Sequence, residues 1–174
     1  MSIRLVSLAV TLLLVVGCGG VAQTRSPAVA FSLTSSAFAE GGQIPVENTC
    51  DGANRPIPLA WSGVPEGTAE LALVMDDPTA RGFVHWVVVG IPSDATGIQG
   101  DLPVGATEGK GSFAKPGYGG PCPPSGTHNY DFTLYALSAP LNLGGTPTAD
   151  QVRSAAADKT IEQAKLSGKY TRSR

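Results

Sequence analysis

The sequence predicts a mainly β domain, on two observations. Its apolar segments are short and mostly alternate with polar residues, and 22 Gly and 14 Pro punctuate them at turns. Only one stretch, near the C-terminus, carries a helix signature. A chain of 174 residues with a 42% hydrophobic share can build one core, which suits a single domain of about 100 to 200 residues. The formal net charge of -2 comes without clustered Lys or Arg. That excludes nucleic acid and polybasic membrane binding, because nothing would neutralise the phosphates.

The first 17 residues read as an export signal. Arg4 supplies a positive start, and Leu5 to Val16 is too short an apolar run to span a bilayer as a stable helix. The run ends in Val15-Val16-Gly17-Cys18, which resembles the bacterial lipobox, where a peptidase cleaves before the cysteine and its thiol carries diacylglycerol. An ordinary signal peptide with Cys18 incidental is the other reading. Residues 18–30, small and polar without a period, form a tether that reaches about 40 Å when extended. The expectation is an exported lipoprotein of the bacterial cell envelope, held to the membrane by its anchor alone, with residues 31–174 as the folded domain. Once Cys18 carries lipid, Cys50 and Cys122 remain as an even pair in an exported chain, and a disulfide follows. Two independent buried thiols are the alternative.

Within the domain, Phe31 and Leu33 begin an edge strand, residues 40–58 are mostly loop, and Ile57, Leu59 and Trp61 alternate in a short strand. Residues 71–77 are apolar at both parities until Asp76 and Asp77 arrive. Asp77 continues the large-residue face of Leu71, Leu73 and Met75, and Pro78 stops the ladder. After a turn over residues 79–82, residues 84–91 are again apolar at both parities, as in a strand covered on two sides. Strand parity groups His85 with Val87, Val89 and Ile91, at the same sheet end as Asp77. A carboxylate there would fix the imidazole's tautomer and leave its other nitrogen for a ligand. Residues 92–125 are dominated by Gly and Pro, with weak strand signals near Ile98 and Ser112-Phe113. Residues 117–126 carry too many fixed dihedrals for disorder and form a rigid rim.

Residues 128–137 alternate cleanly, with His128, Tyr130, Phe132, Leu134 and Ala136 on one face. Three strands therefore end in Asp77, His85, and His128 with Tyr130, each beside a turn. Thr148 and Gln151 fit a capping box, which predicts a helix from Ala149 to about Leu166, ended by Gly168.

Three motifs carry a family resemblance: Asp77-Pro78 followed by His85-Trp86; Tyr118-x-Gly120-Pro121-x-Pro123-Pro124-x-Gly126-x-His128-x-Tyr130; and Cys50-Asp51-Gly52 before a proline-broken strand. In this order they closely resemble the phosphatidylethanolamine-binding protein family, in the bacterial and archaeal branch described as Raf-kinase-inhibitor-like. The resemblance implies an antiparallel Greek-key β-sandwich with few helices and a small anion pocket at one end. It implies that Asp77, His85, His128 and Tyr130 line the pocket, while Pro78, Trp86, Tyr118, Gly119, Gly120 and Pro121 shape it. The ligand implied is a small phosphorylated or anionic molecule resembling a lipid headgroup, with no cofactor and no catalysis. A kinase or protease partner is implied by eukaryotic relatives. The usual D-P-D-x-P is Asp77-Pro78-Thr79-Ala80-Arg81 here, and the usual H-R-Y is His128-Asn129-Tyr130. Two other readings stand beside this one: a metal-dependent enzyme with Asp77, His85 and His128 as a 2-His-1-carboxylate set, and a structural envelope lipoprotein whose pocket is vestigial.

Overall fold

The computed structural model describes residues 29–113 and 115–172. The export signal, Cys18 and most of the tether lie outside the described residues.

Two sheets face each other. The smaller contains β1 (Ser32–Ser35), β3 (Leu59–Ser62) and β6 (Gly97–Ile98), in the order β1-β3-β6. The larger contains β2 (Gly42–Gln43), β4 (Glu70–Asp77), β5 (Phe83–Pro92), β7 (Thr107–Glu108), β8 (Gly126–Leu137) and β9 (Thr160–Arg172), in the order β2-β9-β8-β4-β5-β7. Pairing is antiparallel except between β2 and β9. Strand β8 returns beside β4 after an excursion through β6 and β7, the long return that defines a Greek key.

Because β4 is apolar at both parities, it faces two cores. Leu71, Leu73 and Met75 join Trp61, Trp86, Tyr130 and Phe132 between the sheets. Ala72 and Val74 join Val87, Val89, Tyr135 and Val152 on the outer face. Burial of a large aliphatic or aromatic side chain stabilises the fold by about 1.5–3 kcal/mol, which is why these faces fix the register. The outer face is covered by α1 (Ala149–Ala156), whose N-terminus has the expected capping box between Thr148 and Gln151.

The expected helix over Ala149 to about Leu166 is corrected by the structure. It ends at Ala156, and β9 follows as a 13-residue strand. The helical stripe required Ile161 to be buried, yet it is 42% exposed. The residues that bury are Ala164, Leu166, Gly168 and Tyr170, a period of two. Gly168 is not a helix stop. A Cβ there would come within 2.6 Å of the Phe38 ring and 2.8 Å of Ile44, so the glycine allows the Phe38-Ile44 segment to close over β9. Ser112-Phe113, a weak strand signal, lies outside any strand, and β7 forms instead at Thr107–Glu108.

Candidate functional site

Asp77 closes β4 and is 2% exposed. Pro78 starts a single 3₁₀ turn over Pro78–Ala80, and Asp77 caps it: Oδ1 accepts from the Ala80 N–H at 2.9 Å. Arg81 then adopts a left-handed φ of 57° and Gly82 one of 77°, which turns the chain into β5 in so short a span. The other oxygen, Oδ2, lies 2.6 Å from Nδ1 of His128. The first turn after Asp77 and the first residues of β8 thus hold one carboxylate between them.

His85 reaches the same place by a route that parity does not predict. Met75 pairs with Trp86 and Asp76 with Val84, so His85 is the extra residue of a β-bulge. The bulge moves it off the face of Val87 and Val89, which pack outward against the helix layer. Its ring instead meets Tyr130 edge-on, with centroids 5.1 Å apart. Nδ1 lies 2.7 Å from the Gly119 carbonyl, and the Gly119 N–H donates back to the His85 carbonyl at 3.0 Å. A carbonyl only accepts, so Nδ1 of His85 carries the proton and donates. The bond assigns the tautomer and leaves Nε2 unused.

Burial lowers the pKa of His85 below its ordinary 6.5, against smaller upward pulls from the Gly119 carbonyl and the Asp77 charge. The unfolded chain therefore takes up this proton first as the pH falls. The contribution of neutral His85 to stability is present above about pH 6.5 and is lost as the pH falls through its lower folded-state value. Thermal unfolding from neutral pH downward should show a steeper loss for the natural protein than for His85→Gln; identical slopes would contradict this assignment.

Tyr130 lies fully buried beside these groups, and among the described residues its hydroxyl proton finds no acceptor. Burial, followed by the nearby Asp77 charge, pushes its pKa upward, so the phenol keeps its proton as an unspent donor. A buried unsatisfied hydroxyl costs about 1–3 kcal/mol, and Tyr130, expected to line the pocket, stands behind His85 and not in the cavity lining.

Asp77, His85 and His128 line one cavity of about 210 Å³, together with Ala80, Phe83, Phe113, Cys122, Pro123 and Pro124. The polar side chains come from the ends of β4, β5 and β8, and the apolar ones form a collar. Phe83 and Phe113 meet edge-on with centroids 5.1 Å apart.

The remaining residues expected at the site support its wall. Trp86 is buried in the inter-sheet core and donates through Nε1 to Glu108 Oε1 at 3.0 Å. Tyr118 packs edge-on against it and donates to the Asn48 carbonyl at 2.7 Å. Tyr118, Gly119 and Gly120 line an adjoining groove that shares Phe113 and Cys122 with the cavity. Pro121 is buried, and its carbonyl accepts from the Cys50 N–H. Pro78 is exposed at the turn. Cys50 and Cys122 are joined as a disulfide across 72 residues. Sequence reasoning missed Ala80, Phe83, Phe113 and Pro124; the one available signal was Phe113, a lone aromatic in the Gly- and Lys-rich segment after β7.

Residues 34–171 match the family model described as phosphatidylethanolamine-binding protein. A protein of Methanothermobacter thermautotrophicus named UPF0098 is 42% identical over 149 residues, covering 81% of this chain and 99% of its own length. A Mycobacterium tuberculosis protein named as lipoprotein LppC is 44% identical over 155 residues, covering 86% of this chain and 77% of its own. Among solved structures, CT736 of Chlamydia trachomatis, described as a homologue of phosphatidylethanolamine-binding protein, superposes with a TM-score of 0.77 at 31% identity, over 83% of this chain and 99% of its own. Escherichia coli YbcL, described as a new member of the mammalian family, gives 0.76 at 31% identity over 82% and 99%.

Proposed function

We propose that this chain, which belongs to the phosphatidylethanolamine-binding protein family, is a binding module for a small anion or phosphorylated ligand resembling a lipid headgroup, and not an enzyme. One observation carries the reading. Two imidazoles in the wall of one cavity are each tied at Nδ1, His85 by the Gly119 carbonyl and His128 by Asp77, so that each keeps Nε2 for a ligand. With Nδ1 held by the Asp77 carboxylate, the His128 ring can take a second proton at Nε2 and offer it to an anionic oxygen. Neutral His85 offers a lone pair to a protonated phosphate oxygen. The apolar collar then accommodates whatever the phosphate is esterified to.

His128→Ala leaves Asp77 its bond to the Ala80 N–H and removes the charge-assisted donor. It should weaken calorimetric binding of inorganic phosphate by about 10- to 100-fold, the scale of one such bond; binding at natural strength would remove the assignment. The metal reading finds no support in the geometry. Both oxygens of Asp77 are engaged, and among the described residues no three His, Cys, Asp or Glu side chains converge as a metal site requires.

Lipid on Cys18 holds the domain at a membrane. The support for this is the lipobox-like run and the mycobacterial relative named as a lipoprotein. Two acyl chains hold a protein stably where one does not. Cells fed radiolabelled palmitate should label the natural chain and not Cys18→Ser, and equal labelling would count against the anchor.

A further inference from the structure

The Cys50–Cys122 bridge stands in the wall of the cavity. Cys122 lines both the anion cavity and the groove beside it. Both half-cystines are exposed, so an incoming thiolate has access to the bridge. The two sulfurs differ in their surroundings. Nη1 of Arg172 lies 3.5 Å from the Cys122 sulfur, and Nη2 is held by Asp51 at 2.6 Å, which keeps the guanidinium beside the rim. A cation beside a sulfur stabilises its thiolate, which makes Cys122 the better leaving group.

We propose that this bridge is a thiol–disulfide exchange site that gates the anion cavity, an inference that rests on the anion-binding reading above. The thiolate of a dithiol reductant attacks the Cys50 sulfur, a new S–S bond forms there, and the old one breaks with its electron pair leaving on Cys122. The reductant's second thiol, deprotonated, then displaces Cys50. The products are the reductant's own disulfide, a Cys50 thiol that takes up the proton, and a Cys122 thiolate. The protein gains two electrons and the reductant loses two. Three hydrogen bonds still tie the rim after reduction: Cys50 N–H to the Pro121 carbonyl at 3.1 Å, Gly120 N–H to Asn54 Oδ1 at 2.8 Å, and Tyr118 hydroxyl to the Asn48 carbonyl at 2.7 Å. The cavity keeps its shape and gains a negative charge in its wall, which repels the ligand it otherwise holds.

The chain has two histidines, and both line the cavity, so imidazole NMR of the full chain in detergent reports on this site alone. The titrant is inorganic phosphate at about pH 7, where an ordinary imidazole keeps part of its proton and a neighbouring guanidinium raises the thiolate fraction of a thiol. Phosphate should move both imidazole signals of the oxidised protein, and protein reduced with dithiothreitol should bind about tenfold more weakly, the effect of about 1.4 kcal/mol. C50A leaves a lone Cys122 thiolate and should reproduce that loss, and capping this thiol with methyl methanethiosulfonate, which restores a neutral disulfide-bonded sulfur, should recover most of the affinity. Equal affinities before and after reduction, or a loss in C50A that capping does not reverse, overturn the gate. If phosphate moves neither imidazole of the oxidised protein, the anion-binding reading itself fails and the gate falls with it.

Discussion

Asp77→Ala is expected to abolish phosphate binding, and Asp77→Asn to weaken it by about tenfold, a difference that separates the geometric role of this side chain from its charge. The alanine variant loses both bonds at once. The Ala80 N–H goes unanswered, the 3₁₀ turn loses its cap, and the His128 ring loses the group that aims it. Breaking a buried, hydrogen-bonded pair by removing one member costs about 3–5 kcal/mol, because the partner stays behind without compensation. Asparagine keeps an oxygen for Ala80 but turns an NH₂ toward Nδ1. The neutral ring then holds its proton on Nε2 and can still donate to phosphate, but without the ion pair that a carboxylate makes with imidazolium. Calorimetry on the two variants beside the natural protein reads the distinction: equal losses would assign Asp77 to architecture alone, and no loss in either would remove the cavity from consideration as an anion site.

How far the sequence carries a reader to this site depends on which physical rule each residue obeys. Asp77 and His128 were legible because β4 and β8 are regular. Alternation places Asp77 after Leu71, Leu73 and Met75, and His128 before Tyr130 and Phe132, and the structure follows both lines. Parity puts His85 at the correct sheet end and on the wrong face. Its own sequence context, between Val84 and Trp86, carries no glycine or other mark of a bulge, so counting by twos had nothing to correct it. Strand β9 failed differently. Ala-rich residues after Thr148 favour helix locally, and past Ala156 that preference competes with the alternation of Ala164, Leu166, Gly168 and Tyr170. Tertiary burial decided between the two periods. Phe113 was unreadable as a site residue for a third reason. It belongs to no regular element, and its neighbours Phe83 and His85 lie 28 or more residues away in sequence.

Removing the bridge in the C50A/C122A double variant is expected to lower stability by about 4 kcal/mol, through the unfolded chain rather than through lost contacts. The two half-cystines are exposed, so alanine leaves no buried void at either position. The bridge spans 72 residues, and closing a loop of that length withholds about 4 kcal/mol of conformational entropy from the unfolded state. The loop contains β3 to β7, including the two strands that carry Asp77 and His85. In a chain of this size the loss corresponds to a fall in unfolding temperature of roughly 8–16 °C. Urea unfolding should also give a larger m-value for the double variant, because an uncrosslinked unfolded chain exposes more surface. A stability difference below about 1 kcal/mol with an unchanged m-value would mean that the unfolded chain is already restrained in this region. The size of the effect also bears on the anion cavity. A loss of 4 kcal/mol from a domain stable by about 5–15 kcal/mol leaves the folded form in the majority, so affinity measured on bridge-free protein reports the charge and shape of the cavity rather than a population of unfolded chains.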